Sequence, residues 1–254
     1  MKKIETLYNL PSDVTFCKKC VMSNQRPASI PEFKHNKKRD GAKYMQIDRD
    51  GICDACRQAE KKELINWEDR EKELVNLLDK HRRNDGQYDC LVPGSGGKDS
   101  VYQAHILKYK YGMHPLLTTW PPILYTDYGH ENFKNWIEIG GFDNITYKQN
   151  GKVMKLLTRL AIENLFHPFQ TFILGQKNLA PKIAANFGID LVFYGENEAE
   201  YGNPIADNSK SLRDKSYFTM DHMDDMLLAG VPVSEILKKY DIDLVDLMTF
   251  LPLP

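Results

Sequence analysis

Pro93-Gly94-Ser95-Gly96-Gly97-Lys98-Asp99-Ser100 lies between two very different runs. Before it comes the apolar stretch Tyr88-Asp89-Cys90-Leu91-Val92, which reads as a buried strand. After it comes Val101-Tyr102-Gln103-Ala104-His105-Ile106-Leu107, which reads as the opening turns of a helix. Strand, glycine-rich turn and helix together form a phosphate cradle. Glycines admit close backbone approach, amide N–H groups converge, and the helix N-terminus adds positive potential.

A Walker A loop needs a glycine five residues before the Gly97-Lys98 pair and Ser or Thr after the lysine. Val92 and Asp99 stand there instead, so that pattern fails at both positions. Ser95-Gly96-Gly97-Lys98-Asp99-Ser100 resembles the signature of the PP-loop ATP pyrophosphatase superfamily, whose members cleave ATP between the α- and β-phosphates. The residue types suit the task. Gly96 and Gly97 offer amides, Ser95 and Ser100 hydroxyls, Lys98 a cation, and Asp99 a carboxylate for Mg²⁺.

At 254 residues the chain suits one sizeable domain with an appendage, and a hydrophobic fraction of 42% suffices for a core. The 34 basic and 35 acidic residues nearly cancel, so no global field draws the chain to nucleic acid. No apolar run approaches the roughly 20 residues that cross a bilayer, and Met1-Lys2-Lys3-Ile4-Glu5 lacks a signal peptide's apolar segment. The expectation is a cytoplasmic protein with reduced cysteines.

Four of the five cysteines form two pairs, Cys17-Lys18-Lys19-Cys20 and Cys53-Asp54-Ala55-Cys56, with 32 residues between them. Paired CxxC knuckles are the pattern of a tetrahedral four-cysteine zinc site. The gap exceeds the roughly 15–20 residues of the compact form, so a looped-out, zinc-ribbon-like segment is expected. Zinc would stabilise a segment poor in large apolar residues, because binding energy on the order of 10 kcal/mol becomes folding energy. An iron–sulfur cluster uses the same four thiolates and stays open as an alternative. Cys90, inside the strand before the loop, reads as a small buried apolar residue.

Downstream, Leu64, Trp67, Leu74, Leu77 and Leu78 recur at helical spacing within Glu60–His81, predicting one amphipathic helix broken at Asn84-Asp85-Gly86. A second strand is expected at 114–120, and a helix opens at Tyr128-Gly129-His130. Further expectations are a third strand at 145–147, helices at 153–166 and about 179–187, and a fully buried strand at 190–194. Alternating strands and helices predict an α/β fold with a parallel sheet. Ligands of such sheets bind beyond the carboxyl ends of the strands, which brings Ser95–Ser100, Thr118–Trp120 and Gly195–Tyr201 to one crevice. The acidic run Glu196, Asn197, Glu198 and Glu200 is therefore a candidate for metal, ammonium or sugar recognition. The expected organisation is a zinc-ribbon-like segment over 1–59, a connecting helix over 60–84, and the α/β domain over 85–254.

Longer segments carry a closer resemblance. They are Phe16-Cys17-Lys18-Lys19-Cys20-Val21-Met22 with Arg26-Pro27, Gly51-Ile52-Cys53-Asp54-Ala55-Cys56, the glycine-rich loop, and Tyr125-Thr126-Asp127 with Asn132-Phe133. Gly151–Arg159, His167–Lys177 and Tyr194–Asn203 complete the set. In these the chain resembles the N-acetyl sugar amidotransferases of bacterial surface-polysaccharide and nonulosonic-acid biosynthesis. The resemblance implies a PP-loop (adenine nucleotide alpha hydrolase-like) domain that uses ATP and Mg²⁺ beside structural Zn²⁺. It further implies that the enzyme adenylylates an acetamido group of a sugar, expected to be nucleotide-linked, and replaces its oxygen with ammonia-derived nitrogen for a lipopolysaccharide or related glycan. Lys98, Asp99 and Glu196 are then the catalytic candidates. Ser95, Gly96, Gly97, Lys98, Asp99, Ser100, Thr118, Thr119, Gly195 and Asn197 are the nucleotide-binding ones. Asp99 supports Mg²⁺, while Cys17, Cys20, Cys53 and Cys56 hold Zn²⁺. Arg159, Gln176 and Lys177 are polar candidates for the phosphates or the sugar.

Cys90 is misplaced for a class I glutaminase nucleophile, and Lys2 follows the initiator where an N-terminal-nucleophile glutaminase needs Cys. The resemblance accordingly implies a separate glutaminase and a cyclase-like ammonia-channel subunit as partners, with no nucleic acid and no membrane insertion. The family usually continues further past the acidic turn, so the end at Phe250-Leu251-Pro252-Leu253-Pro254 reads as a shortened C-terminus. Two rival readings stand. One is a PP-loop tRNA-modifying enzyme of the thiolation type, which would activate a base carbonyl in the same way. The other is a non-catalytic ATP- and partner-binding module.

Overall fold

The computed structural model describes residues 10–27, 44–195, 219 and 226–253. These fall into two compact units, one ending at Trp67 and one beginning at Glu68.

The first unit holds little regular structure besides α1 (Asp54–Glu63). Isolated antiparallel bridges, Phe16 with Ser23, Pro27 with Tyr44 and Ile47 with Cys53, shape the rest. Its small core is Cys17, Met45 and Cys53, edged by Met22, Ile47 and Ile52. Two cysteines and one methionine are too little buried apolar surface to fold such a segment unaided.

The second unit begins with α2 (Trp67–His81). The expected single helix from Glu60 is thus two helices. The chain leaves helix geometry at Leu64, where the Leu64 and Ile65 amides donate to Lys61 and Lys62 carbonyls in tight turns. Leu64 and Trp67 are largely exposed, so the apolar spacing that suggested one continuous stripe is not buried along its length.

Strands β1 (Cys90–Pro93), β2 (Pro115–Thr119) and β3 (Asn144–Thr146) form a parallel sheet in that order. α3 (Lys98–His105), extended by one π-helical turn at Ile106–Lys110, links β1 to β2. α4 (Asp127–Glu138) links β2 to β3 and starts where the Thr126 hydroxyl caps the Gly129 amide at 3.0 Å. α5 (Gly151–Leu165) and α6 (Gln170–Phe187) then lead to the far side of β1. There Leu91 donates to the Leu191 carbonyl and accepts from Phe193, each at 2.9 Å, making a parallel bridge at Val192.

Strand pleat explains the layering. Cys90, Val92 and Leu117 point to one face and pack with Leu78, Ala104, Leu107 and Trp136 of α2, α3 and α4. Leu91 and Leu116 point to the other and meet Ala180 and Ala184 of α6. β1 and β2 are buried on both sides, so they read as continuous apolar runs rather than alternating ones. The 190–194 segment is different. It makes one bridge and its residues 191–193 are half-buried, not the fully buried strand expected.

A hairpin of β4 (Leu227–Leu228) and β5 (Val231–Pro232) turns through Ala229 and Gly230, both at positive φ. α7 (Val233–Lys239) and α8 (Leu244–Met248) follow. The terminal apolar residues are core: Phe250 and Leu251 are buried, and Asn178 of α6 donates to the Phe250 carbonyl at 2.7 Å. Lys182 of α6 donates to the Met248 carbonyl and, at 2.6 Å, to that of Leu251. No helix among the described residues is long and apolar enough to cross a membrane.

Candidate functional site

Successive strands β1, β2 and β3 run to one side, and the chain then returns to the other side of β1. The carboxyl end of β1 is therefore a switch point, where two connections diverge and leave a crevice. The glycine-rich loop sits there. The Gly94 amide donates to the Thr118 carbonyl at 3.0 Å, tying the loop's first turn to β2. A Cβ on Gly94 would lie 2.4 Å from Ser100 Oγ and 2.7 Å from the Trp136 indole, so only glycine fits.

Gly96 has φ +88°, and a Cβ there would lie 2.7 Å from both the N and Cα of Phe133 on α4. Gly97 differs from both. It caps α3 with ordinary extended backbone, and a Cβ on it would meet nothing within 4 Å. No side chain caps this helix end, so its first amides have no side-chain partner there. Ser100 Oγ donates back to the Gly97 carbonyl at 3.1 Å, closing the first turn.

Lys98 and Asp99 project outward, 87% and 58% exposed, and pair with each other at 2.6 Å. Such an exposed pair is weak and opens readily to a ligand. Gly195 comes down onto this turn: a Cβ would lie 3.2 Å from the Ser100 amide and 3.4 Å from Asp99 Cβ. The structure therefore gathers Gly94 to Ser100 and Gly195 at one place. Thr118 and Thr119 are buried beside it with their hydroxyls engaged across β3. Thr118 Oγ1 donates to the Ile145 carbonyl at 3.2 Å, and Thr119 Oγ1 accepts from Asn144 Nδ2 at 2.9 Å. Glu196, Asn197, Glu198 and Glu200 lie outside the described residues. Arg159 is exposed and pairs with Glu163 at 3.7 Å on α5, and Gln176 faces solvent on α6.

Phe133 and Trp136 form the wall behind the loop, and sequence reasoning gave neither a role. The available signal was their spacing of three residues on the helix that follows β2. Cys90 is fully buried next to Asp89, and burial raises its thiol pKa well above the ordinary value, so it is not a nucleophile.

In the first unit, Cys17, Cys20, Cys53 and Cys56 place their four sulfurs within 4.8 Å of one another. The Sγ atoms of Cys17 and Cys56 are 3.9 Å apart, and those of Cys20 and Cys53 are 3.6 Å apart. Tetrahedral Zn–S bonds of about 2.3 Å require sulfur–sulfur edges of about 3.8 Å, so the donor set fits such an ion. Backbone amides support the sulfurs: Lys19 and Cys53 donate to Cys17 Sγ at 3.4 and 3.3 Å, and Met22 donates to Cys20 Sγ at 3.4 Å. Burial opposes ionisation of Cys17, yet these amides bring its pKa down to about 6. Burial and neighbouring thiols push Cys56 up to about 12. Four thiols so close can hold a metal such as zinc.

The molecule is thus an α/β protein with a small parallel sheet, a glycine-rich loop at its switch point, and a four-cysteine cluster in a separate N-terminal unit. No family model matches the chain. Over 51 residues it is 39% identical to the uncharacterized protein MJ1599 of Methanocaldococcus jannaschii, a match covering 20% of this chain and 18% of that protein.

Proposed function

We propose that the glycine-rich loop is a PP-loop and that the protein is an ATP-dependent amidotransferase acting on the acetamido group of a sugar. The observation that carries the reading is the uncapped first turn of α3 at Gly97. It is open enough for phosphate oxygens, flanked by Lys98, Asp99 and Ser100, and closed from above by Gly195. Mg-ATP supplies an electrophilic α-phosphorus and pyrophosphate as leaving group.

The chain's own groups do the rest by position and charge. The amides of Gly97, Lys98 and Asp99 receive phosphate oxygens at the helix N-terminus. Asp99 would hold Mg²⁺, and Lys98, now paired with Asp99, would neutralise charge on the departing pyrophosphate. An amide oxygen is a poor leaving group until AMP is attached to it. Ammonia then adds to the imidate carbon, AMP departs with that oxygen, and loss of a proton leaves the acetamidino group. Glu196 is assigned a catalytic role and Asn197 a nucleotide-binding one. The four-cysteine centre is assigned structural Zn²⁺, and the ammonia to a separate glutaminase and channel subunit.

The test uses purified protein, Mg-ATP, ammonium chloride and a panel of acetamido sugars, free and nucleotide-linked. Sugar-dependent pyrophosphate and AMP, with oxygen replaced by NH in the product mass, is expected. Pyrophosphate release with RNA but no sugar, together with iron at the four cysteines, would transfer the reading to RNA thiolation.

A further inference from the structure

A cleft of about 520 Å³ runs from the glycine-rich loop between α3 and α4. Its upper end is Gly96 and Lys98. Along α3 and its π-helical turn it is lined by Val101, His105 and Tyr109, and along α4 by Asn132, Asn135 and Trp136. π-helical turns gather at functional sites, and this one sets Tyr109 in the wall.

The chemistry of the lining narrows the ligand. The His105 and Tyr109 rings are 4.8 Å apart but tilted by 42°, so they make a bent apolar wall rather than a slot for a flat base. The Tyr109 hydroxyl already donates to the Gly140 carbonyl at 2.9 Å, which fixes the ring, and Lys108 Nζ, bonded to the Gly141 carbonyl, lies over it at 5.5 Å from the centroid. The Asn132 and Asn135 side chains offer amides of both polarities. Trp136 is 2% exposed, and its indole N–H is buried with no partner. That donor is closed off from solvent, so Trp136 gives the cleft only apolar ring surface. Lys98 is the one ammonium or guanidinium among the lining residues, and it is held by Asp99. A puckered, uncharged ring with one apolar face and several hydroxyl or amide groups matches this wall. A diphosphate does not.

We propose that this cleft seats the sugar ring and acyl groups of the acceptor, directing an acetamido oxygen upward to the loop and leaving any carrier phosphates outside. The proposal rests on the amidotransferase reading for the identity of the acceptor. It also predicts that a nucleotide carrier adds little affinity.

The experiment measures binding by saturation-transfer NMR with a non-hydrolysable Mg-ATP analogue present. The probes are N-acetylglucosamine and a diacetamido trideoxyhexose, each free and linked to uridine diphosphate. Three proteins are compared: the wild type, an Asn132→Ala/Asn135→Ala double variant, and Ile139→Trp. Ile139 lines the cleft at an exposed position, so a larger side chain there blocks the cleft without entering the core.

Free sugar should bind the wild type, with Kd at least tenfold weaker in the double variant and binding lost in Ile139→Trp. Analogue binding should stay unchanged in all three. Sugar binding that survives in both variants overturns the proposal, as does a nucleotide conjugate binding at least tenfold tighter than its free sugar. Loss of analogue binding in Ile139→Trp would assign the cleft to the nucleotide and overturn it too. Sugar held in the cleft with no pyrophosphate released would sink the amidotransferase reading and leave the cleft assignment standing.

Discussion

Gly96 and Gly97 are adjacent and chemically identical, yet alanine should act on them in opposite ways. At Gly96 the backbone sits at φ +88°, where an L side chain costs roughly 1–2 kcal/mol. The added Cβ would also press on the Phe133 N and Cα at 2.7 Å. That is backbone in the middle of α4, with no side chain to swing away, and overpacking of this kind costs roughly 1–3 kcal/mol. Together Gly96→Ala should cost about 2–5 kcal/mol, a large part of an ordinary domain's stability and a drop of about 10 °C in melting temperature. At Gly97 the backbone is ordinary and the space empty. The gain of about 0.4–1 kcal/mol from a stiffer unfolded chain is offset by alanine's poorer capping of α3, so stability should change by less than about 1 kcal/mol. Its methyl would stand where phosphate oxygens approach, weakening Mg-ATP binding at least tenfold, about 1.4 kcal/mol. Thermal melts followed by tryptophan fluorescence, with Trp120 and Trp136 both in the sheet domain, read the first effect. Titration with a fluorescent ATP analogue reads the second. A Gly96→Ala melt that matches the wild type refutes the packing argument. A Gly97→Ala protein that binds nucleotide normally refutes the phosphate assignment.

Other expectations follow from single contacts. Cys53→Ser, at a fully buried position of the four-cysteine cluster, should abolish metal binding and unfold the N-terminal unit, whereas the wild type should contain one zinc per chain by elemental analysis. Phe166 ends α5 at φ +52° with its side chain 91% exposed, so Phe166→Gly should stabilise by about 1 kcal/mol in a denaturant titration. Lys182 has its pKa lowered to about 8 by burial, against an ordinary 10.5. Between those values the unfolded chain binds the extra proton, so stability should rise with pH across that window. Lys182→Met should flatten that rise, as read from melting temperatures at pH 7, 9 and 10.

The parts of the fold legible in the sequence are those fixed by short-range chemistry. β1, its loop and α3 are readable because an apolar run, glycines and a polar helix start follow without interruption over residues 90–105. The two CxxC knuckles are readable because ligand spacing is local, and the structure brings all four sulfurs together. What escaped depends on distant partners. The break at Leu64 to Asn66 is invisible to a periodicity that continues across it. α6 begins at Gln170 rather than near Leu179 because Gln170, Thr171 and Asn178 are polar yet buried, their places set by the hairpin and the C-terminal segment. Gln170 Oε1, for example, accepts from the Ala229 amide at 3.0 Å, a contact 59 residues away in sequence. The residues 190–194 look like a core strand by composition, but only one bridge forms there, because the segment lies at the sheet's edge with no strand described beyond it. At the site, the loop glycines were visible as a motif. The role of α4 as its wall was not, because the Gly96–Phe133 approach has no local signature.

The proposed reaction attaches AMP to the oxygen of an acetamido group. The most direct measurement gives the protein a sugar carrying oxygen-18 in that carbonyl, with Mg-ATP and ammonium, and weighs the AMP released. The label should leave the sugar and appear in the phosphate of AMP, one atom for each acetamidino group formed. Product formed with unlabelled AMP, or with ADP and labelled inorganic phosphate, would contradict it.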